Sequence, residues 1–382
     1  MRTTDTAAPG ATAGAAPPDG ARPVRAHDEA EIRAERLDGI PRTFPLLMLV
    51  LLGILAASLV GSLFVGALPN TFAEVWTRLP EAVSAGLRGE VPGAGDDQLS
   101  VIIATLRLPR GILAVLVGLA LGAAGAVVQG HTRNALADPG LFGLTSGAAF
   151  AVVLVIFLGI TRDPYGYVWA ALAGCAAVTV LVFALSSTGP IVASPLSLVL
   201  AGAALSALFG NVTTILTLSD RDAMRELAKW AAGSVAGRGV EVILATGGFM
   251  LLGLVLAQAQ AKPLNLLALG ERTAAALGLN VTAHRVLGLI TVSLLGGGAT
   301  AAAGPIGFIG LAAPHIVRGF TGPDYRLVVP ASAVTGGFLA LWADMLGRVV
   351  VRPGELQMGI VMALAGAPFF IMLIKRGRVN AL

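Results

Sequence analysis

The sequence predicts an all-α, polytopic integral membrane protein with ten transmembrane helices, and three observations carry that prediction. The 382 residues are 55% hydrophobic and only 13% charged, whereas soluble domains carry about 25% charged residues. Mean hydropathy is +0.81. Uncharged runs long enough to cross a bilayer, about 20 residues each, recur along the chain. Their apolar character is continuous, whereas the strands of a membrane barrel would alternate polar and apolar residues.

Residues 1–44 stand apart. "TAAPGATAGAAPPDGARP" is rich in Ala, Pro and Gly and has no apolar period, which predicts disorder, and "HDEAEIRAERLDG" reads as a short charged helix. The segment does not read as a secretory signal, because the apolar run starts only at Leu46 and no small-residue cleavage site follows. Residues 45–378 form the membrane domain. Single spans are expected at 46–68, 111–128 and 141–160. The uncharged stretch 164–219 is too long for one helix and is broken at "SSTGPIVASP", so it supplies two. One span follows at 242–261. The run 286–317 is broken at Gly304, Pro305 and Ile306 and reads as two short helices joined by a turn. Spans at 327–343 and 356–374 complete the set, and an even number places both termini on one side.

Glycine lies inside the spans at Gly118, Gly122, Gly296 to Gly298, Gly336 and Gly337. Small residues let helix backbones approach closely in lipid, so these positions predict a tightly packed bundle. The single cysteine, Cys175, lies within a span and reads as a small buried hydrophobe, leaving no disulfide framework. A net charge of +4 gives no reason to invoke nucleic acid. Asp344 and Arg348 are one helical turn apart and are expected to pair.

The chemistry that is missing narrows the function. His27, His131, His284 and His315 form no HExxH pattern or His/Cys cluster, so no metal site is expected, and His315 reads as a polar residue at a helix end. Acidic residues are almost absent from the spans, which argues against a proton relay. No GxxxxGK[ST] loop occurs, so if the protein pumps, its energy comes from another polypeptide. The stretch "KPLNLLALGERTAAALGLNVTAHR", residues 262–285, is too polar to span a bilayer, yet has Leu264, Leu266, Leu267, Leu269 and Leu277 to bury. Two readings stand: it docks into a groove on a soluble motor, or it lies flat in the headgroup layer.

Six stretches in fixed order are more specific than any one of them. They are "LRLPRGILAVLVGLALGAAGAVVQG" (106–130), "RNALADPGLFGLTSGAAF" (133–150), "LAGAALSALFG" (200–210), "LNLLALGERTAAALGLN" (264–280), "AGPIGFIGLAAPHIVR" (303–318) and "GELQMGIVMALAGAPFFIMLIKR" (354–376). Through them the chain resembles the permease subunits of bacterial ATP-binding-cassette importers for iron–siderophore complexes and vitamin B12. The resemblance implies that family's ten-helix permease fold, a pair of permeases (identical or paralogous), two ATPase subunits on the cytoplasmic face and a substrate-binding protein on the outer face. It implies a bacterial plasma membrane location with both tails cytoplasmic, an orientation that the weak bias of Lys and Arg across the loops supports little.

The resemblance also implies roles for individual residues. The coupling segment for the ATPase would be 262–285, centred on Leu269, Gly270, Glu271 and Gly278. Arg107, Arg110 and Arg348 would receive acidic residues of the binding protein, for which the guanidinium fork is suited. Arg352 has no such support. The inner gate would lie near Ser194 and Pro195, where proline replaces part of a hydroxyl-rich pattern. Asp138 reads as a helix cap at the cytoplasmic side. The expected function is a permease without catalytic residues or cofactor, most readily for ferric siderophores, with vitamin B12 or haem as alternative cargo. An ion-coupled secondary carrier and a membrane scaffold are the rival classes.

Overall fold

The computed structural model describes residues 43–66, 71–88, 98–161, 163–187 and 194–375, and among these no strand occurs. The predicted disordered tail lies outside the described residues, apart from its last two positions, as does most of the "SSTGPIVASP" break.

Each predicted apolar run is occupied by helix. Helix α1, Phe44–Phe64, starts with Pro45 in its first turn and is apolar on all sides, with only Leu55, Ser62 and Leu63 buried. Its remaining surface therefore suits lipid. Helix α2, Phe72–Arg88, is amphipathic and buries Val75 and Ala82 against Ile103 and Ala104. Helix α3, Gln98–Thr132, is one 35-residue rod containing a wide turn at Ile103–Arg107. A single 3-10 turn, Pro139–Phe142, and a left-handed Gly143 lead into α4, Leu144–Phe157. Helices α5 (Pro164–Ser186), α6 (Pro195–Ser219), α7 (Arg221–Ala231) and α8 (Val240–Ala259) follow. Two short helices, α9 (Ala261–Ala268) and α10 (Glu271–Ala276), precede α11, Val281–Ala303. The chain closes with α12 (Ile309–Thr321), α13 (Tyr325–Val350) and α14 (Met358–Lys375).

Seven of these helices, α1, α3, α5, α6, α8, α11 and α13, are long and apolar enough to cross a membrane, and α4 and 358–373 are shorter apolar helices. The run 286–317 differs from expectation. It holds one full-length helix of 23 residues and one of 13, not two short ones. The break falls where expected. Gly304 takes φ +75°, and the freed carbonyl of Ala303 accepts a hydrogen bond from the Ser234 amide at 2.6 Å, so the interruption leaves that group satisfied.

Helices α3 and α13 form the centre of the bundle and run antiparallel. A Cβ on Gly122 would collide with the Ser332 carbonyl, and one on Gly118 with that of Gly336. Their backbones are therefore in contact, the packing that substitutes for hydrophobic drive in lipid. Arg110, near one end of α3, faces Asp344 of α13, and Gly130, near the other, packs on Tyr325. At 1.5 Å per residue the 22 steps from Arg110 to Thr132 span about 33 Å, close to the hydrocarbon thickness.

Candidate functional site

Polar side chains collect at the two ends of the α3–α13 pair. At the α9 end, the segment 262–285 folds as a helix, a turn and a second helix. Leu264 and Leu267 of α9 are buried, whereas Leu269 and Leu277 are more than half exposed. Gly270 takes φ +102° and Gly278 φ +87°, conformations that a side chain resists, and these glycines set the two turns. Asn280 then caps α11 by accepting a hydrogen bond from the Ala283 amide at 3.0 Å.

Both short helices are fastened to the long ones. Asn265 of α9 donates to the Asp324 carboxylate at 2.6 Å and accepts from the Tyr325 amide at 2.9 Å, which holds the start of α13. Burial pushes the Asp324 pKa up, but the hydrogen bonds and charge of Arg326, with the bond from Asn265, outweigh it and hold the carboxyl below its usual range. Glu271 of α10 pairs with Arg285 of α11 and lies 3.6 Å from Arg133, which ends α3 in a left-handed conformation. Of the four predicted coupling residues, Leu269 and Gly278 are presented outward and Gly270 forms the turn. Glu271 reaches back into the bundle.

The predicted gate residues lie at this same end. Ser194 caps α6, accepting from the Ser197 amide at 3.1 Å, and Pro195 occupies the first helical position. Pro195 lines a cavity of about 20 Å³ together with His131, Leu198, Arg285 and Gly288. Arg285 thus pairs with Glu271 on one side and faces the cavity beside Pro195 on the other. His131 shares a hydrogen bond with Gln260 (3.0 Å), and Gln260 donates to Thr291 (2.6 Å), joining α3, the α8–α9 junction and α11.

A larger cavity, about 250 Å³, opens where the α11–α12 break meets the Pro139–Phe142 turn, lined by Leu121, Asp138, Thr145, Thr300 and Pro305. Asp138 caps that turn through the Gly140 amide at 2.8 Å. It shares the cavity with Leu121, eleven residues back from Thr132, which places it deeper in the bundle than the end expected from sequence. Cys175 is buried and donates to the Leu144 carbonyl. His315 sits within α12, edge-on to Phe369, and not at a helix end. Among the described residues no group of three His, Cys, Asp or Glu is arranged to hold a metal.

At the α2 end, the three predicted binding-protein arginines join one network. Asp344 accepts from Arg110 at 2.8–3.1 Å and from Arg348. Arg348 also donates to the carbonyls of Ser62 and Val65, Arg107 to that of Leu63 and Arg352 to that of Gly66. The last carbonyls of α1 and of the residues just after it have no intrahelical partner, and three guanidiniums, those of Arg107, Arg348 and Arg352, supply them. Arg107 and Arg348 are 6% and 1% exposed. Both are buried: Arg107 gives Nη1 to the Leu63 carbonyl, and Arg348 divides Nη1 and Nη2 between the end of α1 and Asp344. Arg110 differs: one guanidinium edge faces Asp344 and Nη1 donates at 2.7 Å to Glu355, whose side chain is one-third exposed.

The chain matches the FecCD transport family model over residues 54–376. It is 37% identical over 343 residues to the hemin transport system permease protein HmuU of Yersinia pestis, covering 88% of this chain and 97% of that one. It is 40% identical over 275 residues to the ferric enterobactin transport system permease protein FepD of Escherichia coli, covering 72% and 82%. A solved metal-chelate type ABC transporter in an inward-facing conformation superposes with a TM-score of 0.75 at 29% identity, covering 87% of this chain and 99% of that one. The chain belongs to the FecCD transport family and shares the fold of that metal-chelate type ABC transporter.

Proposed function

We propose that this chain is the membrane-spanning permease subunit of an ATP-binding-cassette importer that carries ferric siderophores across a bacterial plasma membrane. It performs no chemistry itself. Two ATPase subunits bind and hydrolyse ATP at the α9 end, which is cytoplasmic together with both termini. A substrate-binding protein delivers cargo at the α2 end, and a second permease, identical or paralogous, completes the path. The observation that carries this reading is that the turns after α9 and α10 expose Leu269 and Leu277 while the two helices are bonded to α3, α11 and α13.

That fastening supports a mechanical role. Closure of the ATPase pair on nucleotide would displace α9 and α10 as a rigid unit. Asn265 would carry the start of α13, and Glu271 the end of α3 and the flank of α11. Because α3 and α13 touch at glycine, they move together and tilt as one element. Arg285 would pass the motion to the start of α6 at Pro195.

Siderophore cargo is favoured by the range of iron-chelate importers among the relatives, and haem, the cargo named for HmuU, is the second reading. The test is uptake into vesicles holding the permease and ATPase, with a ferric siderophore, haem or cobalamin supplied on its own binding protein. Uptake should require ATP and follow the cargo that the partner binding protein delivers. Uptake that persists without ATP and follows a proton gradient would overturn the proposal in favour of a secondary carrier.

A further inference from the structure

We propose that Glu355 is a built-in occupant of the binding-protein site: its carboxylate holds the outward edge of Arg110 until an acidic side chain of the substrate-binding protein displaces it. This inference rests on the proposed role of Arg110 in receiving that protein and adds a regulator to the same site.

The geometry divides the Arg110 guanidinium into two edges. Nε and Nη2 are taken by Asp344, which is 1% exposed and also holds Arg348. That edge is fixed inside the bundle. Nη1 is taken by Glu355 at 2.7 Å. Glu355 lies in the connection between α13 and α14, beyond the end of the span, where a polar side chain meets water. An arriving carboxylate can reach only this second edge, and it finds a carboxylate already there.

Charge makes the exchange specific. The network holds Arg107, Arg110 and Arg348 against Asp344 and Glu355. With Glu355 in place, the outward edge of Arg110 is neutralised. When Glu355 swings out, the site gains one net positive charge and the vacated edge is suited to one carboxylate. The other two arginines cannot substitute for it, since Arg107 and Arg348 are buried, at 6% and 1% exposed. The resting pair keeps Arg110 oriented and lowers its affinity for stray anions. Dissociation after delivery is assisted because Glu355 returns to the edge that the partner leaves.

The test is a double-mutant cycle on the complete permease–ATPase complex in nanodiscs, reading affinity for the substrate-binding protein encoded with it. Glu355→Gln removes the competing charge and should tighten binding about two- to fivefold, the range of one partly exposed ion pair. Glu355→Ala repeats the test without an amide in that position. Arg110→Gln should weaken binding, and in that background Glu355→Gln should change nothing. If Arg110→Gln leaves affinity unaltered, the reading of Arg110 as a contact fails, and the inference with it. If Arg110→Gln weakens binding but Glu355→Gln weakens it too, or has no effect, Glu355 is not a competitor while the contact stands. Tightening that persists in the Arg110→Gln background also overturns the inference, since Glu355 would then be acting elsewhere.

Discussion

Asp344 gives the sharpest test of how the α2 end is held. Its carboxylate is 1% exposed and accepts from two guanidiniums, three contacts from Arg110 at 2.8–3.1 Å and one from Arg348. Asp344→Asn keeps the volume and removes the charge. Arg348 retains two carbonyl partners and Arg110 retains Glu355, yet both cations lose their buried counter-ion. Breaking a buried pair by removing one partner costs about 3–5 kcal/mol. Large chains shift their melting point by roughly 2 °C per kcal/mol, so a fall of roughly 6–10 °C is expected. Loss of the monodisperse species on heating, read by size-exclusion chromatography in one detergent, measures it. Arg352→Ala is the control, since Arg352 makes one exposed bond to the Gly66 carbonyl and should move the midpoint by less than about 2 °C. If Asp344→Asn melts within a degree of the unaltered protein, the network does not hold the ends of α1, α3 and α13 together.

Other consequences are as direct. Gly122→Val drives a side chain into the Ser332 carbonyl and should destabilise the protein by about 1–3 kcal/mol or more, whereas Gly53→Val, with open space around it, should be neutral in the same melting assay. Gly270→Leu places a side chain at φ +102° and should abolish ATP-driven transport while the protein remains folded; full transport would remove Gly270 from the coupling role. Leu269→Cys should cross-link to the ATPase subunit, since Leu269 is exposed and the native Cys175 is buried; labelling by lipid-phase reagents alone would favour the headgroup reading of this segment. Asp324 is held below its ordinary pKa, so its stabilisation is complete above about pH 5 and is lost as pH falls through and below its usual value near 3.9; Asp324→Asn should remove that acid-side loss from the melting profile.

The spans were legible because twenty apolar residues have few other uses, and Asp344 with Arg348 was legible because a helix fixes what stands four residues away. What was not legible depended on partners distant in the chain. The span expected from 111 is the inner part of a helix that starts at Gln98, and its charged start is held because the Leu63 carbonyl at the end of α1 accepts from Arg107, 44 residues away. Glu355 meets Arg110 across 245 residues, which no local pattern reports. Helices α2 and α7 left readable signals that hydropathy passes over. Thr71 and Glu74 exchange capping bonds at 3.0 and 3.4 Å, and Asp220 accepts from the Asp222 amide at 2.8 Å. In residues 262–285 the glycine turns were implicit in the sequence. The inward pairing of Glu271 was not, because only the fold brings the ends of α3 and α11 to one carboxylate.

The decisive measurement is the initial rate of iron–siderophore entry into vesicles containing this permease, with its binding protein and ATP supplied, in the presence and absence of the ATPase subunit. Entry should appear only when the ATPase subunit is present, and should vanish when Gly270→Leu alters the segment it grips. Equal entry with and without that subunit would contradict a passive conduit driven from the α9 end.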